Sequence, residues 1–170
     1  MKIKFIVNKY KKKNYEDYLV LAKEGDVDYQ MIIASILFDE EKIVEGMEWM
    51  KKAADKDAAQ AQYLYGWYCL ENNDLLNGKD YLSKASRQNY IEALYDEAKL
   101  MDFGDFGYKK NINEAIDLYK KACILGRKQA CTALYSILIE MKGKEQTKQY
   151  IKKKIGCFNF ILLKLLGIKF

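Results

Sequence analysis

The sequence predicts an all-α protein, an α-solenoid of stacked antiparallel helix pairs. Three observations carry that prediction. Ala53, Ala85 and Ala122 each precede a second alanine, Ala61, Ala93 and Ala130, by eight residues, and the flanking sequences superimpose. Walking back from the first alanine, minus seven is Gly46, Gly78 or Ala115, minus four is Trp49, Tyr81 or Leu118, and minus three is Met50, Leu82 or Tyr119. Small and large residues therefore recur at helical spacing. Walking forward, plus four is Asp57, Asn89 or Gly126, residue types that accept a left-handed backbone and stop a helix.

The elements follow in chain order. Residues 1–14 form a basic segment with six lysines and no acid, whose apolar run is short and broken by Lys4. No small-residue cleavage site follows it, so it reads as no signal peptide, and the protein is expected in the cytoplasm of a bacterial cell. Repeat units are expected at 15–57, 58–89, 90–126 and 127–155. The register enters with Ala22 at zero and Asp26 at the stop, followed by Ala34, Ser35 and Phe38. The later second helices carry Tyr65, Glu97 or Leu134, then Gly66, Ala98 or Tyr135, then Cys69, Met101 or Leu138. Successive zero-position alanines are 31, 32 and 37 residues apart, the longest unit holding an inserted loop, Asp102 to Gly107. With no proline and no linker-like composition, the 170 residues read as a single domain of eight to ten helices. The last of these is an apolar, basic helix at 156–170.

The register resembles the Sel1-like repeat family, relatives of tetratricopeptide arrays. The best match is Gly107-Tyr108-Lys109-Lys110-Asn111-Ile112-Asn113-Glu114-Ala115, then Leu118-Tyr119-Lys120-Lys121-Ala122 and Gly126. The likeness covers roughly residues 15–141 and recurs in phase. It implies a right-handed solenoid that binds proteins. Departures are Glu97 where leucine is expected and Tyr135 where a small residue is expected. Cys123 and Cys131, eight apart, look like the spacing by which secreted cysteine-rich relatives bridge neighbouring helices. Only one such pair is present, so two buried thiols acting as small apolar residues fit as well.

Charge is segregated. Residues 151–170 hold five lysines and no acid, so both ends are basic, and residues 15–150 carry 18 basic and 24 acidic residues, a net of −6. An acidic middle attracts basic proteins; no nucleic-acid partner is expected. The apolar stretch 155–170 is too short and too interrupted by Lys164 to span a bilayer. It fits a cap over the last helix pair, or a peripheral membrane contact through Phe158, Phe160, Leu162 and Leu165.

Histidine is absent, which removes the usual general base and metal ligand, and no cofactor or metal is expected. The doubled Asp-Phe-Gly resembles a kinase magnesium motif, but no phosphate loop accompanies it, and it reads as a connecting turn. The expectation is a non-catalytic protein-interaction scaffold. Its narrower form is an immunity protein that neutralises a basic toxin domain; the alternative is a membrane-associated adaptor held by the tail. If the alanines face the core, the face pointing away carries Ile32 and Ile36, Tyr63 and Trp67, and Tyr95 and Lys99. These are the candidate partner residues, although Tyr63 and Trp67 fit packing against the adjacent unit equally well.

Overall fold

The computed structural model describes residues 14–143, 146, 147 and 149. The basic segment before Asn14 and the tail with Phe158, Phe160, Leu162 and Leu165 lie outside the described residues. Among the described residues there are eight α-helices and no strand: α1 Tyr15–Glu24, α2 Val27–Asp39, α3 Ile43–Ala54, α4 Ala59–Glu71, α5 Leu75–Arg87, α6 Ile91–Phe103, α7 Ile112–Ile124 and α8 Lys128–Lys142. None of these is long and apolar enough to cross a membrane. The chain divides between Tyr90 and Ile91 into two compact units. Within each, every helix packs against the next in the chain.

Local chemistry sets the boundaries. Asn14 caps α1 in a reciprocal box with Asp17, Asp26 accepts from the Asp28 and Tyr29 amides, and Asp74 and Asn111 accept from the amides of Asn77 and Glu114. Every described helix is followed by a residue at positive φ: Gly25, Glu41, Asp57, Asn73, Asn89, Gly104, Gly126 and Gly143. The expected stops at Asp57, Asn89 and Gly126 are among them.

The first stop is corrected. Asp26 has φ −66° and caps α2, while Gly25, at φ 97°, ends α1. The left-handed residues Gly25, Asp57 and Asn89 are then 32 apart, so the first repeat is 32 residues long, not 31. Hydrogen bonds give the same register. Gln30 Nε2 donates to the Ala22 carbonyl at 3.1 Å, and Gln62 Nε2 donates to the Ala54 carbonyl at 3.2 Å, which makes Ala22 the counterpart of Ala54.

In the first unit, Met31, Ala34, Met50, Ala53, Ala54, Ala61 and Leu64 make one buried cluster, and Tyr18, Ala22, Ile32, Ile33 and Leu37 make another. α4 and α5 cross at two glycines. A Cβ on Gly66 would lie 3.0 Å from the Leu82 amide nitrogen, and one on Gly78 would lie 3.0 Å from the Gly66 carbonyl oxygen. Backbone stands against backbone there, so neither position has room for a side chain.

Gln62 and Tyr81 tie helix ends together in the same unit. Gln62, fully buried, also donates to Asp57 at 3.1 Å and accepts from Gln88 Nε2 at 2.9 Å, joining the end of α3 to the end of α5. The Tyr81 hydroxyl donates to Asp55, which also takes the Lys51 ammonium at 2.7 Å. Burial opposes ionisation of Asp55, but the hydrogen bonds from Lys51 and Tyr81 outweigh it and hold the carboxyl below its ordinary value.

The second unit buries Leu94, Ala98, Ala115, Tyr119, Ala122, Ala130, Leu134 and Leu138. Glu97 is buried where leucine was expected, and burial together with the Glu97 carboxylate pushes the Tyr108 phenol up. Tyr135 is accommodated half-buried against this core. The inserted loop closes through the amides of Gly104 and Asp105 on the Leu100 carbonyl and of Asn111 on the Met101 carbonyl, a connecting turn in geometry.

Candidate protein-binding faces

In the first unit, α4 presents Tyr63 and Trp67 one turn apart, both half-buried. The Tyr63 ring packs on Tyr90 with centroids 5.3 Å apart. Tyr90 was not among the residues expected from the sequence. It follows the left-handed Asn89, a loop position that helical periodicity does not report on. Ile36 is half-buried on α2 and packs on the cluster around Ile33.

Ile32 is a correction. It is 1% exposed and lies among Tyr18, Ala22, Ile33 and Leu37. α2 packs against both α1 and α3, so the side that would face a partner in a helix with one neighbour is covered here. Ile32 is a core residue, not a partner contact.

In the second unit, Tyr95 of α6 is half-buried between the Tyr119 ring, centroids 5.9 Å apart, and the Arg127 guanidinium, 5.1 Å from its ring centre. Arg127 also approaches Glu92 at 4.0 Å. Lys99, one turn further on, is exposed. Thr132 and Ser136 of α8 are exposed as well, and the Thr132 hydroxyl donates to the Lys128 carbonyl. Beside the inserted loop, Met101, Tyr108, Lys109, Lys110, Asn111 and Glu114 line an open pocket of about 520 Å³. Its Asn111 and Glu114 side chains bond each other at 3.0 Å.

Three cysteines lie among the described residues. Cys123 and Cys131 are joined, with Cα atoms 4.8 Å apart, fastening the end of α7 to the first turn of α8. Cys69 is buried, and burial pushes its thiol up, which removes the thiolate a nucleophile needs.

Electrostatics separates the units more sharply than the sequence average suggests. Residues 14–90 hold fifteen acidic and eight basic residues, a net of −7, whereas residues 91–143 hold eight of each. All of that excess lies in residues 14–57, with twelve acids and five bases, and every one of those acids is exposed.

No protein-family model matches the sequence, and no curated protein does. Solved structures do match in fold. One is a protective antigen present in uropathogenic Escherichia coli strains displaying an SLR fold: TM-score 0.66, 24% identity, covering 77% of this chain and 30% of that one. Another is a Sel1 repeat protein from Oxalobacter formigenes: TM-score 0.64, 22% identity, covering 71% of this chain and 96% of that one. This chain thus spans less than a third of the antigen's length and nearly all of the second protein's. Phased helix pairs ended by left-handed residues, superimposing on two such structures, give this chain the Sel1-repeat α-solenoid fold.

Proposed function

We propose that this chain is a non-catalytic protein-binding module whose partner is basic, and that its narrower role is to neutralise a basic toxin domain. The observation that carries the reading is the −7 charge of residues 14–90, the same stretch that presents Tyr63, Trp67 and Tyr90. Half-buried aromatics are large and rigid and carry a polar group beside an apolar ring, the properties of residues that dominate interface energy. The exposed acids of residues 14–57 in the same unit speed encounter with a cationic partner and disfavour anionic ones.

The test is a pull-down from native lysate with the full chain and with Tyr63→Ala/Trp67→Ala. Loss of a basic partner at unchanged melting temperature is the expected result. A large drop in melting temperature for the double variant would assign both rings to the core and remove them from the site. In the second unit, Tyr95 and Lys99 are proposed as a separate contact patch, with Lys99→Ala the cleaner probe because Tyr95 is held by Tyr119 and Arg127.

The Cys123–Cys131 bond is proposed to form in the native protein. Disulfides persist where thiols are not kept reduced, which favours an oxidising compartment over the cytoplasm. Closing a loop of this length is expected to contribute about 2–3 kcal/mol, so Cys123→Ser/Cys131→Ser, or reductant on the wild type, lowers the melting temperature. Equal melting with and without reductant, or both thiols alkylating in protein taken directly from cells, would show the pair to be free.

A further inference from the structure

One edge of the first unit combines features the fold does not require. α3 begins with Ile43-Val44 and α5 with Leu75-Leu76, equivalent positions 32 residues apart. Val44 is 66% exposed, Leu76 82% and Ile43 45%. A core has no use for these side chains. Around them stand Asp39, Glu40, Glu41, Glu45, Glu71 and Asp74, all exposed, against a single base, Lys42, which is already engaged by Glu40 at 2.8 Å. The opposite edge differs. Its loops at 23–28, 55–58 and 87–90 mix Lys23, Lys56 and Arg87 with acids and hold none of the exposed large apolar residues.

The start of α1 lies at the same edge as the start of α3. Consecutive helices are antiparallel, so α1 begins where α2 ends. In agreement, the Lys42 ammonium is raised by its Glu40 hydrogen bond first, and also feels Glu45 and the Tyr15 hydroxyl. Tyr15 is the first residue of α1 and is itself exposed.

We propose that this acidic, apolar edge of α3 and α5 is the seat of the chain's own residues 1–13. That segment carries six lysines and no acid, interleaved with Ile3, Phe5, Ile6, Val7 and Tyr10. It joins α1 at Asn14, beside the edge, and thirteen residues reach about 40 Å when extended, several helix widths. Its lysines complement the carboxylates, and its apolar residues cover Val44 and Leu76.

Carbodiimide cross-linking of the full-length chain tests this, since it joins a lysine amine directly to a carboxylate it touches. An equimolar mixture of 15N-labelled and unlabelled chains tells links within a chain from links between chains. The informative lysines are Lys2, Lys4 and Lys9, because Lys11 to Lys13 lie close in sequence to Glu16 and Asp17 in any conformation; the Lys51–Asp55 pair, 2.7 Å apart, is the internal control. Expected are links within one chain to Asp39, Glu40, Glu41, Glu45, Glu71 or Asp74, falling about fivefold in about 0.5 M salt, where exposed charges are screened. They should fall similarly in Val44→Ser/Leu76→Ser, whose replaced side chains are exposed and outside the core. Links spread evenly to Glu24, Asp28 and Asp57, links only between chains, or no links beside a positive control would each overturn the proposal.

Discussion

Tyr119→Ala is expected to cost about 3–5 kcal/mol, the range for deleting a fully buried aromatic ring. Tyr119 is 2% exposed and sits among Leu94, Ala98, Ala115, Ala130, Leu134 and Leu138, so its removal leaves a cavity that all three helices of the second unit line. A loss of that size is a large share of the stability of a small domain. Its hydroxyl bonds Asp102, so Tyr119→Phe should cost only about 1 kcal/mol by losing one hydrogen bond. Urea unfolding of the two variants separates ring from hydroxyl. A loss under about 1.5 kcal/mol for the alanine variant would mean that the helices collapse onto the vacated space more readily than close-packed interiors do.

The second large effect is expected at Gln62→Leu, about 2–4 kcal/mol. The change is nearly isosteric, so the cost is polar. The Ala54 carbonyl and Asp57 carboxylate lose a donor and the Gln88 amide loses its acceptor in a place where Gln62 was wholly buried. Gln88 is exposed, and Gln88→Ala should cost well under half as much because water takes over its bonds. A double-mutant cycle should return a coupling of about 0.5–1 kcal/mol between the two. A coupling of zero would mean that the Gln62–Gln88 bond contributes nothing and that the burial of Gln62 rests on the loop before α4 alone.

What could be read from residues in order was the part of the fold governed by local rules. Asp57, Asn89 and Gly126 end helices because few residue types accept a left-handed backbone, and that preference is visible without any neighbour. The alanines at 53, 61, 85, 93, 122 and 130 are buried because only small side chains let paired helices approach, and their spacing repeats. The one slip in register came where two alanines, Ala53 and Ala54, stand together. Periodicity cannot choose between them, and the Gln30 and Gln62 hydrogen bonds to Ala22 and Ala54 do.

Exposure was decided elsewhere. Ile32 and Ile36 share a helical face, yet only Ile32 is fully buried, because the packing of α1 and α3 on α2 determines how much of that face each residue keeps. Gln62 is polar and yet core, since its partners come from the ends of α3 and α5. The acidic edge joins residues 39–45 to residues 71–76, two segments a repeat apart that antiparallel packing brings to the same side. The sequence by itself determined where most helices stop and that they repeat, because left-handed stops act within a few residues. Only the tertiary structure decided which of their faces meet water, because burial is a property of neighbours that lie far away along the chain.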